Sequence, residues 1–74
     1  MVSAIDKQQK EIAQRIKRLR KDKGVGYQKF AIQCGLQPRH YWRVEEGESN
    51  ITLQTLLRIL EGLEVGLEEF FRGM

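Results

Sequence analysis

The chain has 74 residues, 41% of them hydrophobic and 31% charged, with a formal net charge of +3 and a single cysteine, Cys34. A chain this short buries about 60% of the surface its unfolded form exposes, which leaves room for one small domain over residues 1–74. The lone cysteine excludes an internal disulfide, and no apolar run nears the roughly 18 residues a membrane span needs.

The opening stretch MVSAIDKQQK lacks the apolar core of a secretory signal, and together these features point to a cytoplasmic protein. Charge is unevenly spread. Residues 1–43 carry eleven Lys/Arg against Asp6, Glu11 and Asp22, a net of +8; residues 44–74 carry Arg58 and Arg72 against seven glutamates, a net of −5. Such a split lets one side of the molecule attract polyanions and the other repel them.

Ile5, Ile12, Ile16 and Leu19 recur at spacings of seven, four and three, which predicts a helix from Ile5 to about Lys23, ended by Gly24 and Gly26. A short helix over about 27–34 follows, with Phe30, Ala31 and Cys34 on one side and Gly35 placed to close it. Pro38 is suited to the first position of a third helix, Pro38 to about Glu46, which stops at Gly47. Thr52 is a good N-cap for a fourth helix whose apolar side is Leu53, Leu56, Leu57, Ile59, Leu60 and Leu63, broken by Gly66. Leu67, Phe70 and Phe71 on a last short helix cover the core. Strand-like alternation is absent, so the fold class is all-α.

On the wheel of the third helix, Tyr41, Val44 and Glu45 share one side, and Arg39, Trp42, Arg43 and Glu46 share another. An arginine's planar fork matches guanine O6 and N7 in a major groove, or a phosphate, and a tryptophan can touch a thymine methyl. From these residues two readings stand open: Trp42 faces a ligand between two arginines, or it packs into the core while the arginines pair with Glu45, Glu46 or Glu48.

The segments RIKRLRKDKG (15–24), FAIQCGL (30–36), YWRVEEG (41–47), NITLQTLLRILEGLEV (50–65) and LEEFF (67–71), in this order and at these separations, make residues 12–71 resemble the Cro and phage-repressor helix-turn-helix domains. The resemblance covers about four-fifths of the chain and implies a compact five-helix lambda-repressor-like domain, with residues 1–11 extending helix one. It implies that the third helix lies in the major groove, with Gln37, Pro38, Arg39, Trp42 and Arg43 toward the bases. Arg20, Tyr27, Gln28, Lys29, Ser49 and Asn50 would then stand toward the phosphates. Tyr41 and Val44 fall where the family buries aliphatic residues, and Glu45 matches a glutamate that pairs with an arginine of helix one, here Arg20. The resemblance thus implies a partly buried Arg20–Glu45 pair that also aims Arg20 at a phosphate.

Several positions depart from the family pattern. Gly26 and Tyr27 stand where a Ser/Thr cap and a phosphate-contacting glutamine are usual, and Glu48 stands where a lysine or arginine often follows the glycine. Glu46 and Glu48 would lie close to a phosphate strand. Pro38 and Trp42 occupy positions that are more often small or polar.

His40 reads as a partly exposed helix residue with no second ligand at metal-binding spacing, and Cys34 as a small buried apolar residue. No nucleophile–base set, phosphate loop, cofactor motif or small-molecule effector domain is visible, so neither an enzyme nor a metal site is expected. Lys17, Lys21, Lys23 and Lys29 are further candidates for phosphates, each more simply read as a solvated charge. One half-site buries little surface, so a reader of this size calls for a twin. The exposed remainder of Phe70, Phe71 and Met74, with Val2 and Ile5, is the expected dimer seam. The expected function is a homodimeric, sequence-specific regulator of transcription bound to double-stranded DNA. The competing reading is a helix-turn-helix scaffold turned to protein binding, favoured by the glutamates and opposed by the +8 portion.

Overall fold

The computed structural model describes residues 4–48 and 50–74. Five helices follow one another: α1 (Ala4–Asp22), α2 (Tyr27–Gln33), α3 (Pro38–Glu45), α4 (Leu53–Leu63) and α5 (Leu67–Phe71), with no strand among the described residues. They enclose one core of Ile16, Phe30, Ala31, Cys34, Tyr41, Val44, Ile59, Leu60, Leu63 and Phe70, flanked by Ile12, Leu19, Leu36 and Leu56. The core residues of α1 and α4 sit at spacings of three and four, so each helix presents a stripe rather than a cylinder to its neighbours.

Two expected apolar sides are narrower than the sequence pattern. Ile5 is 66% exposed, two turns before Ile12 and beyond the reach of the other helices, whereas Ala13 is sealed in the core. On α4, Leu53 is 68% and Leu57 43% exposed, while Ile59, Leu60 and Leu63 are buried. The line Leu56–Ile59–Leu60–Leu63 is the one the neighbouring helices cover; Leu53 and Leu57 lie on a more exposed flank. At the end of the chain Phe70 is buried against Phe71, with ring centroids 4.9 Å apart, but Phe71 itself is exposed.

The ends of α4 show which local signals act. Thr52 Oγ1 accepts from the Thr55 N–H at 3.1 Å, satisfying a donor that the helix leaves open. The helix stops before Gly66. Glu64 takes the left-handed conformation (φ 61°), and the N–H groups of Glu64 and Val65 return to the carbonyls of Glu61 and Leu60. Gly66 instead stands at the start of α5. Inside α4, Gly62 lets α2 approach: a Cβ there would lie 2.6 Å from Cys34 Sγ and 3.2 Å from the Phe30 ring. The Cys34 thiol is buried at that contact, and burial, then Glu61, pushes its pKa up to about 11. It is a packing residue and not a nucleophile.

Candidate nucleic-acid interface

The turn from α2 into α3 is set by Gly35. With φ at +75°, Gly35 donates its N–H to the Ile32 carbonyl at 3.0 Å, and Leu36 donates to Ala31 at 2.9 Å, closing α2 within three residues. Gln37 is extended and Pro38 begins α3, where its missing N–H leaves no helical bond unmade. The Phe30 and Tyr41 rings pack at 5.4 Å and 57°, and Ala31 and Val44 complete the seam between the two helices. The seam fixes the rotation of α3: Tyr41, Val44 and Glu45 are buried, and Arg39, His40, Trp42, Arg43 and Glu46 are exposed.

Glu45 is the one charged residue on that inner side, 5% exposed, and it meets Arg20, 7% exposed. Arg20 Nε donates to Oε2 at 2.5 Å and Nη2 to Oε1 at 3.0 Å, a two-pronged contact; Nη1 donates to the Val25 carbonyl at 2.7 Å. The hydrogen bond to Glu45 holds the Arg20 pKa above its ordinary value against the opposing effect of burial. Beside them the buried Tyr41 phenol is pushed far up, first by desolvation and then by Glu45. The pair joins α1 to α3 and to the loop before α2, so it fixes α3 at its C-terminal end while the Phe30–Tyr41 seam holds it nearer its start. Three of the five Arg20 donors are spent inside the protein and its side chain is 9% exposed, so its bonds here join α1 to α3 and to the loop before α2.

The remaining candidates divide by place. Trp42 is 44% exposed, outside the core, with Arg39 and Arg43 on the same side of α3. Gln37, Arg39, His40 and Arg43 line one shallow groove at the start of the helix. Pro38 is half-buried and offers only its ring and carbonyl. At the N-terminus of α2, Gly26 provides no side-chain cap; Tyr27, Gln28 and Lys29 are exposed, with Gln28 Nε2 3.5 Å from the Tyr27 hydroxyl. Asn50 is exposed, and its Oδ1 accepts from Gln9 Nε2 at 2.8 Å. Ser49 lies outside the described residues. Among the lysines, Lys17 sits 3.6 Å from Glu46 and Lys23 2.8 Å from Glu64, while Lys21 and Lys29 are exposed. The Lys17 contact answers part of the difficulty posed by Glu46, whose charge is countered from α1. Glu48 is exposed. Among the described residues no group of three His, Cys, Asp or Glu side chains is placed to hold a metal ion.

A charged, aromatic helix face presented by a short helix–glycine turn–helix unit defines a helix-turn-helix protein, and the chain belongs to the helix-turn-helix domain family, which it matches over residues 11–70. It is similar to the control protein C.MunI of Mycoplasma sp., 36% identical over 58 residues that cover 77% of this chain and 78% of the relative. Its fold is similar to that of the restriction-modification controller protein C.AhdI of Aeromonas hydrophila, with a TM-score of 0.82 and 28% identity over 86% of this chain and 97% of that one. An HTH_3 family transcriptional regulator of Vibrio cholerae matches with a TM-score of 0.78 and 35% identity, over 85% of this chain but 35% of its own.

The exposure of Leu53 and Leu57 has no sequence signal, because an exposed leucine and one that fills a core look alike in the apolar pattern. The Gln9–Asn50 bond gave no signal at all, since 41 residues separate its ends.

Proposed function

We propose that the protein regulates transcription as a sequence-specific DNA-binding homodimer, each subunit laying α3 in a major groove, and that it belongs functionally with the controllers of restriction-modification cassettes. The observation that carries the reading is the outward face of α3. Arg39, Trp42 and Arg43 stand together on it, on a helix whose opposite side is locked by Arg20–Glu45 and by Phe30–Tyr41. Arg39 and Arg43 are one turn apart, a spacing that serves two nearby base edges on one strand, with guanine the preferred partner of each. Gln37, Pro38 and Trp42 complete the base-facing set, and Tyr27, Gln28, Lys29 and Asn50 flank it toward phosphates, with the two remaining donors of Arg20 as a further candidate. The names of C.MunI and C.AhdI support the controller reading. No helix of the described residues is long and apolar enough to cross a membrane, which fits work on cytoplasmic DNA, and the reading assigns the protein no catalysis.

The dimer seam proposed from the structure differs from the one expected. Phe70 is buried and cannot join it, and Val2 lies outside the described residues. Leu53 and Leu57 on α4, with Leu67 and Phe71 on α5, are the exposed apolar pairs at helical spacing that a second copy would cover. Two copies joined there would present two α3 helices to half-sites about 34 Å apart, one turn of duplex.

The test is binding of the full chain to a library of genomic duplexes at two salt concentrations, read by the emission of Trp42. Selected duplexes must change Trp42 emission, and affinity must fall steeply as salt rises. Replacing Arg39 or Arg43 by alanine should cost about 1–3 kcal/mol on the selected site and relax the preference at one base pair. A flat salt response with unchanged emission sinks the reading and favours a protein partner for the same face.

A further inference from the structure

We infer that the first turns of α1, upstream of the stretch that matches the family, form an additional DNA-backbone contact, with Lys7 and Lys10 reaching phosphates that flank the half-site; this rests on the DNA-binding reading above. The helix begins at Ala4 and the family match at residue 11, so nearly two turns of α1 precede the family fold.

This extension lies against the loop that leaves the recognition helix. Gln9 Nε2 donates to Asn50 Oδ1 at 2.8 Å. A Cβ at Gly47, directly after α3, would stand 3.1 Å from Lys10 Cγ and 3.7 Å from Lys10 Cα. The loop and the extension therefore form one surface, continuous with the proposed interface.

The charges on it are aligned. Lys7, Lys10, Gln14, Lys17 and Lys21 follow at spacings of three and four, so they share one side of α1 over about 21 Å of helix. Lys10, Gln14 and Lys17 line a groove whose other wall is Glu45 and Glu46 of α3, which places this lysine row beside the recognition helix. Glu11 turns the other way, toward the groove it shares with Gln8, Ile12, Phe71 and Met74. Exposed lysines are point charges without the fork that reads a base edge, so they suit phosphates and add affinity without sequence preference. Because the segment is helical and tied to Asn50, the backbone that carries these lysines is held in place before DNA arrives.

The test compares the unaltered full chain with the double substitution Lys7→Gln and Lys10→Gln. Glutamine has a helix propensity close to that of lysine, so circular dichroism and thermal melting should be unchanged. On duplex DNA the double substitution should make the slope of log affinity against log salt shallower by about 1–2, at about 0.9 per phosphate contact. Selected and random duplexes should lose affinity by the same factor, leaving their ratio as it was. If the unaltered chain binds DNA and the slope does not move, the inference is overturned and the DNA reading stands. Loss confined to the selected site would overturn it too, because it would mean base reading. If the unaltered chain binds no duplex, the DNA reading itself falls and takes the inference with it.

Discussion

The flank formed by α1 and α3 and the flank formed by α4 and α5 use opposite chemistry in the same places on a helix wheel. On α3 the buried side contains a complete ion pair and the exposed side holds two arginines and a tryptophan. On α4 the buried side is all aliphatic, and the exposed side still carries Leu53 and Leu57. A surface that meets only water needs neither pattern. The first has charge where a polyanion would lie, the second has hydrocarbon where a second copy would lie, and the buried polar pair sits under the first of them. Polar groups inside a small core are costly unless fully bonded, and here their bonding is what joins α1 to α3.

The sharpest way to break the contrast is to remove one member of that pair. Glu45→Ala leaves the Arg20 guanidinium buried without its acceptor, and the expected loss is about 3–5 kcal/mol in urea unfolding, much of what a domain of this size has. Replacing both residues by apolar ones, Arg20→Met with Glu45→Leu, should restore most of it. If the double variant is as stable as the unaltered chain but binds DNA less tightly, the pair serves to aim α3; equal binding would make it a merely structural contact.

On the other flank the expected effect is on assembly. If the proposed seam is right, Leu53→Lys with Leu57→Lys should weaken the proposed dimer by about 2 kcal/mol or more, since buried interface anchors dominate association. Sedimentation should then show a monomer at concentrations where the proposal has the unaltered chain associate. Chemical stability of the monomer should change far less than association does, because both side chains are exposed. A large loss of monomer stability, or an unchanged dimer, would place the seam elsewhere.

Between the two flanks lies the contact of α2 with α4 at Gly62. Gly62→Ala would gain about 1 kcal/mol of helix propensity, but its methyl would meet Cys34 Sγ at 2.6 Å and Phe30 at 3.2 Å, and overpacking costs about 1–3 kcal/mol. The net expectation is a loss of about 1 kcal/mol. Adding Cys34→Ala removes the closest atom, so the double variant should lose less than the two single changes together.

The helices themselves were legible because their signals are local: Gly35 after α2, Pro38 at the head of α3 and Thr52 before α4 each act within four residues. The outward face of α3 was legible from spacing, since Tyr41 and Val44 left Arg39, Trp42 and Arg43 one side to occupy. Whether Trp42 joined that side was not, because an indole satisfies either environment and the rotation is fixed by long-range contacts, the Phe30–Tyr41 seam and the Arg20–Glu45 pair. The pairing of Arg20 with Glu45 came from resemblance and not from any local rule. The spent donors of Arg20 were beyond sequence, since the acceptor at Val25 depends on how the loop before α2 folds back. Leu53 and Leu57 were misplaced for a related reason: periodicity gives the arc of a helix that is apolar but not how much of that arc its neighbours cover.

The end of α4 offers the smallest effect and a clean separation of causes. Glu64 holds φ 61°, a conformation that strains a residue with a Cβ and that glycine adopts freely. Its carboxylate also takes a bond from Lys23 at 2.8 Å, which holds its pKa below the ordinary 4.5. Glu64→Ala removes the carboxylate and keeps the strain; Glu64→Gly removes both. If backbone strain outweighs the exposed ion pair, as surface pairs usually allow, the melting temperature should rise for Glu64→Gly and not for Glu64→Ala. The lowered pKa gives the pH test its sign. The ion pair contributes above the ordinary carboxylate value and is lost as pH falls through the depressed one, so the advantage of Glu64→Gly should widen in acid. An advantage that stays constant there would mean the Lys23 bond contributes little to stability, leaving backbone geometry as the whole of the difference; one that narrows would mean the ionised carboxylate destabilises the fold and would overturn the expectation.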